Sequence, residues 1–62
     1  MKPEFSRRMA LVVNSPYFRK GWSPWQRDDF VDRVSKAGDF DDLSEKDKKI
    51  VLLAEKSIKD NL

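Results

Sequence analysis

The stretch Ser23-Pro24-Trp25-Gln26, continued by Arg27 to Ala37 and closed by Gly38, decides how the rest of the chain is read. A serine hydroxyl can accept from the N–H three residues on, and a glutamine at that third position can reach back, so Ser23 and Gln26 form a Ser-x-x-Gln capping box. Pro24 suits the first helical position, where its missing N–H would have been unpaired anyway. Phe30, Val34 and Ala37 then recur at helical spacing with Val31 at the edge, Lys36 complements the negative end of the helix dipole, and Gly38 suits a left-handed terminating residue. The spacing predicts an amphipathic helix over 24–37. Its remaining surface alternates Asp28, Asp29 and Asp32 with Arg27, Arg33 and Lys36.

Upstream, Pro3 opens a second helical pattern. Phe5, Met9, Val12 and Val13 share one stripe at offsets of four, seven and eight residues, and Asn14-Ser15-Pro16 ends it because the residue before a proline is pushed out of the helical region. The connection from Asn14 to Ser23 holds Ser15-Pro16 and Gly21 and ends on the serine of a second Ser-Pro pair, which leaves room for an extra helical turn at 16–20, capped at Ser15-Pro16 and closed by Gly21. Downstream of Gly38, the acidic turn Asp39-Phe40-Asp41-Asp42 precedes Ser44, a second N-cap, with Asp47 closing an acidic version of the box. Leu43, Ile50, Val51, Leu53, Ala54 and Ile58 form the apolar face of a helix over 44–59, with Glu45 and Asp47 at its positive end and Lys56 and Lys59 at its negative end.

No strand-like alternation and no internal repeat is present. The expectation is an all-α fold: a small single-layer three-helix domain spanning residues 1–62, with helices at 3–13, 24–37 and 44–59 and an extra turn at 16–20. The expected core is Phe5, Met9, Val12, Phe30, Val34, Phe40, Ile50, Leu53, Ala54 and Ile58.

Composition narrows the function. The chain has 62 residues, 39% of them charged, with no Cys and no His. Disulfide staples, zinc-finger spacings and an imidazole general base are therefore excluded. A domain of roughly 60 residues buries only about 60% of its unfolded surface, which leaves little room for a deep substrate pocket. Gly21 and Gly38 are both used as helix terminators, so no glycine-rich phosphate loop exists. Asp39, Asp41 and Asp42 lack the twelve-residue calcium-loop pattern. The reading is of a non-enzymatic protein with no metal and no cofactor. The longest uninterrupted apolar runs, Met9 to Val13 and Ile50 to Ala54, are far shorter than the roughly 20 residues of a membrane span, and the start has no signal-peptide apolar region. A cytoplasmic location with no membrane partner is expected, and a free-standing short chain of this kind suits a phage or mobile-element protein.

The net charge of +2 hides a polarised chain. Residues 1–27 carry six cations against one carboxylate, whereas residues 28–62 carry seven cations against ten carboxylates. Five of the seven aromatics, Tyr17, Phe18, Trp22, Trp25 and Phe30, fall in one short segment among Arg19, Lys20 and Arg27. Two uses are open for them. Loop aromatics in a small domain usually fold over the open end of the core, but projection at 100° per residue places Trp25 opposite the Phe30 stripe, and aromatics and Arg are enriched at interface hot spots. A protein-binding surface formed by Tyr17, Phe18, Arg19, Trp22, Trp25 and Arg27 is therefore the first expectation, with an unidentified protein as partner and an accessory or regulatory role.

The alternative is nucleic-acid binding through the basic first half. Arg7, Arg8, Arg19, Lys20 and Arg27 would follow the phosphates while Tyr17, Phe18 or Trp22 stack on bases. A helix-turn-helix is disfavoured, since its turn would be six residues long and would set Asp39, Asp41 and Asp42 near phosphates. Leu11 and Leu52 project off the buried faces of their helices, so the chain is expected as a monomer or a weak homodimer through one of them. The Trp-x-x-Trp spacing at Trp22 and Trp25 is similar to that of thrombospondin type 1 repeats, but those depend on cysteines and this chain has none.

Overall fold

In the computed structural model, which describes residues 2–61, the chain runs α1 (Pro3–Val13), α2 (Pro16–Gly21), α3 (Pro24–Ala37), a 3-10 turn (Phe40–Asp42) and α4 (Glu45–Asp60). Among the described residues there is no strand. The architecture is the all-α one expected from the sequence. α1 and α3 begin and end at the expected residues, the extra turn is a six-residue helix, and α4 sits one residue later at both ends than the pattern implied.

Local chemistry explains each boundary. At α3, Ser23 Oγ accepts from Gln26 N–H at 3.4 Å while Gln26 Oε1 accepts from Ser23 N–H at 3.0 Å, so the capping box is complete. Gly38 ends α3 at φ +81°, a left-handed conformation that glycine adopts without the penalty a Cβ would incur. Gly21 behaves differently from expectation. It has no positive φ, and α2 ends because Trp22 turns extended while its N–H still reaches Phe18 O. At Ser15, the hydroxyl does not cap α2; it donates back to Val12 O at 2.6 Å, inside the α1–α2 junction.

The ten buried apolar side chains form one cluster: Phe5, Met9 and Val12 from α1, Phe18 from α2, Phe30 and Val34 from α3, Leu43, and Ile50, Val51 and Ala54 from α4. α4 is the common support, since α1 and α2 both dock on it, and α1 also packs on α3. Three core expectations need correction. Leu53 is half exposed and Val51 is fully buried in its place, because the buried arc of α4 is centred on Val51 and Ala54, and Leu53 lies about 200° round the helix from Val51. Phe40 and Ile58 are only half-buried, at the rim. Phe18, read as a surface candidate, is interior.

Three ion pairs tie the helices and the turn together. Arg8 donates to Glu55 through both Nε and Nη2, each at 2.8 Å, linking α1 to α4. Arg33 on α3 donates through Nε and Nη2 to Asp47 on α4, each at 3.2 Å, and through Nη1 to Asp29 at 2.8 Å. Lys2 reaches Asp39 at 2.9 Å, joining the start of α1 to the turn after α3. Asp47 therefore does not close a box with Ser44. Ser44 Oγ accepts from Asp47 N–H, but the buried Asp47 carboxylate faces Arg33.

Candidate interaction surface

α2 is short because Pro16 starts it and the chain turns extended at Trp22, and this places three aromatics over one end of the core. Phe18 is buried, with its ring edge-on to Phe30 at 5.1 Å and stacked on Trp22 at 4.5 Å. Trp22 also meets Phe30 edge-on at 5.9 Å, and Tyr17 tilts against both Phe18 and Trp22. Edge-to-face and offset contacts of this kind add roughly 0.5–1.5 kcal/mol each beyond burial. Tyr17 is anchored further by its N–H, which donates to Ser57 Oγ on α4. These three rings seal the core, and Tyr17 and Trp22 keep only their outer parts in water.

Trp25 is the exception. It is 72% exposed, the highest exposure of any large apolar side chain among the described residues, and no ring or cation packs on it. On α3 it shares a face with Asp28, Asp29 and Asp32, three, four and seven residues on. Arg27 lies about 200° round the helix from Trp25, so the expected aromatic–basic patch does not form one surface and divides into three. The second is a hollow of about 320 Å³ lined by Phe18, Arg19, Trp22, Ser23, Pro24 and Arg27. Its floor is Trp22 over Phe18, and Arg19 and Arg27 bring two guanidinium groups that have no carboxylate partner among the described residues. Tyr17 and Lys20 belong to a third hollow, with Pro16, Gly21, Ser57 and Asn61.

The basic residues divide as well. Arg7 is exposed and Lys20 is exposed, whereas Arg8 is committed inside the fold. Its guanidinium lies 4.4 Å from the Phe40 ring centroid while it grips Glu55, and that hydrogen bond and charge hold its pKa above the usual arginine value against some desolvation. Arg33 is held up in the same way, chiefly by Asp47. Asp39 is pushed below the ordinary carboxylate range by the Lys2 ammonium and by the Phe40 N–H, which its Oδ1 accepts at 2.8 Å. Among the described residues no group of three or more carboxylates is arranged to hold a metal ion, and no helix is long and apolar enough to cross a membrane.

One surface was only half legible in the sequence. The sequence pattern projects Leu52 outward but sets its neighbour Leu53 on the apolar face, whereas in the structure both are exposed and form an apolar step between Lys49 and Lys56. The signal that finds it is phase: once Ile50, Val51 and Ala54 are placed inward together, both leucines fall more than 100° from the centre of that arc.

Comparison with known proteins returned no family model, no curated protein and no solved structure that matches the chain.

Proposed function

We propose that the chain is a small non-enzymatic protein-binding module of accessory or regulatory type, with Trp25 as its anchor and the Arg19–Trp22–Arg27 hollow as a neighbouring contact. The observation that carries this reading is the contrast among the aromatics: Tyr17, Phe18, Trp22 and Phe30 pack on one another, while Trp25 stands in water with nothing on it. An exposed indole gains nothing for folding. Buried in a partner's pocket, a large apolar side chain contributes roughly 1.5–3 kcal/mol, and Trp leads the residue types found at binding hot spots. The test is capture from a nuclease-treated lysate of the source cell with wild-type and Trp25→Ala chains as parallel baits. A protein retained by the wild type and lost, or bound about tenfold more weakly, by Trp25→Ala supports the reading. Equal recovery of every protein by both baits discards Trp25 as the anchor.

A second reading is favoured by Arg19 and Arg27, which lack carboxylate partners and flank the open edge of Trp22. Cations beside an accessible ring are what single-stranded nucleic acid needs, with Arg7 and Lys20 extending the track. Arg8, held by Glu55, is not available to it. Oligonucleotide binding that falls steeply with salt and is lost in Arg19→Glu/Arg27→Glu favours this reading, and no binding at low salt ends it.

A further inference from the structure

Among the described residues Arg8, Arg27 and Lys48 are the half-buried cations. Arg8 is paired with Glu55 and Lys48 with Glu45, whereas Arg27 has no carboxylate partner among the described residues. Drawing a cation part-way out of water without a counter-charge costs free energy, so this position favours the arrival of an anion. Arg19, on α2, lines the same hollow and is likewise unpartnered. No carboxylate lines that hollow, and it opens at the N-terminal end of α3, a helix of 14 residues whose dipole adds to the positive field. Trp22 forms its floor and is stacked on Phe18 at 4.5 Å, so the ring is held in place before anything lands on it.

Charge and size narrow the occupant. Two guanidinium groups balance two negative charges, and their planar forks can grip one tetrahedral oxyanion from two sides; a carboxylate or a phosphodiester supplies only a single charge. At about 320 Å³ the hollow sits at the small end of ligand clefts, which run from roughly 300 to 1,000 Å³, so it suits one ring with its phosphate rather than a run of nucleotides. An extended phosphopeptide would need backbone partners along the rim, and the N–H groups of Trp22 and Ser23 already donate to Phe18 O and Gln26 Oε1. We propose that the hollow between Arg19 and Arg27 binds a phosphate monoester carried on a flat heteroaromatic body, as in a nucleoside monophosphate, with the phosphate between the two guanidinium groups and the base on Trp22. The same chemistry is found in a free nucleotide and at a phosphorylated end of a single strand. The inference rests on the second reading above for its surface, and narrows what is recognised to a terminal phosphate and its base.

The probe is adenosine monophosphate, titrated into the nitrogen-labelled chain and followed by NMR. Saturable shifts are expected at the Trp22 indole N–H and at the Nε–H groups of Arg19 and Arg27, with the Trp25 indole unmoved. Adenosine, which lacks the phosphate, and ribose phosphate, which lacks the base, are each expected to bind roughly tenfold or more weakly, and Arg19→Gln/Arg27→Gln is expected to weaken the monophosphate by as much. Arg27→Lys, which keeps the charge but not the fork, should fall between the two, and circular dichroism checks that each variant keeps its helical signal. The comparison of ligands on the wild-type chain stands even where a variant does not fold. Affinity is expected to drop below about pH 6, where the phosphate loses its second charge and both arginines keep theirs. Adenosine binding as tightly as its monophosphate, shifts confined to Trp25, or no saturable shift overturns the proposal. Tighter binding of phosphotyrosine overturns it in favour of a phosphopeptide. Single-stranded oligonucleotides with and without a terminal phosphate separate the two sources. Preference for the phosphorylated strand supports the proposal at strand ends, whereas a response to adenosine monophosphate with neither strand bound supports it for the free nucleotide and ends the second reading. Equal binding of both strands with no response to adenosine monophosphate overturns the proposal and leaves the second reading standing.

Discussion

Phe18→Ala is expected to unfold the protein, although Phe18 comes from the same short segment as the exposed Trp25. Phe18 is 1% exposed and touches Phe30, Trp22 and Tyr17 at ring distances of 5.1, 4.5 and 5.7 Å. Truncating a fully buried phenylalanine to alanine costs about 3–5 kcal/mol, including the cavity left behind. A chain of this length at about 0.05–0.15 kcal/mol per residue has only about 3–9 kcal/mol of stability in all. Most or all of it is therefore removed, and in a domain of this size each kcal/mol corresponds to about 4–8 °C in Tm. Phe18→Leu keeps much of the volume and is expected to cost about 1–1.5 kcal/mol. Trp25→Ala, at an exposed position, is expected to fall within about 0.5 kcal/mol of the wild type. Urea and thermal melts followed by far-ultraviolet circular dichroism measure all three. A Phe18→Ala chain that melts within a few degrees of the wild type, or a Trp25→Ala chain that loses as much as Phe18→Ala, would refute the division of these aromatics between interior and surface.

Three further outcomes are expected. A double-mutant cycle on Arg8→Ala and Glu55→Gln should give a coupling of about 0.5–1 kcal/mol that shrinks at high salt, since the pair is bidentate but about one-third exposed on each side. Gly38→Ala should lose about 1 kcal/mol because it forces a Cβ into φ +81°, whereas Gly21→Ala, where an added Cβ meets nothing within 4 Å, should be neutral or stabilising in the same urea melts. Asp39 titrates below its ordinary value of 3.8, so its contribution is complete above that pH and is lost as pH falls through the lower folded value; carbon-detected NMR titration of Lys2→Ala should return the Asp39 midpoint toward 3.8.

What the sequence made legible was what local chemistry controls. The cap at Ser23, the prolines at positions 3, 16 and 24 and the left-handed Gly38 set helix limits without help from distant residues, and the structure places α1 and α3 where they predict. Choices made by packing were less legible. Val51 and Leu53 lie about 200° apart on α4, so only one can face the core, and the docking of α1 and α2 on α4 falls on the side of Val51. Phe18 is buried because α2 swings back onto α4, a contact between segments far apart in sequence. Asp47 had a plausible local partner in Ser44, yet Arg33, 14 residues away, takes its carboxylate. For the candidate site, the projection of Trp25 needed only helix geometry, while the commitment of Arg8 to Glu55 and Phe40 needed the tertiary fold.

The placement of the two tryptophans has a practical consequence. Trp22, stacked on Phe18, senses whether the interior is intact, and Trp25, standing clear of every other ring, senses what arrives from outside. Replacing either one by phenylalanine turns the natural chain into a single-colour reporter, one version for melting and the other for ligand arrival, with no dye attached.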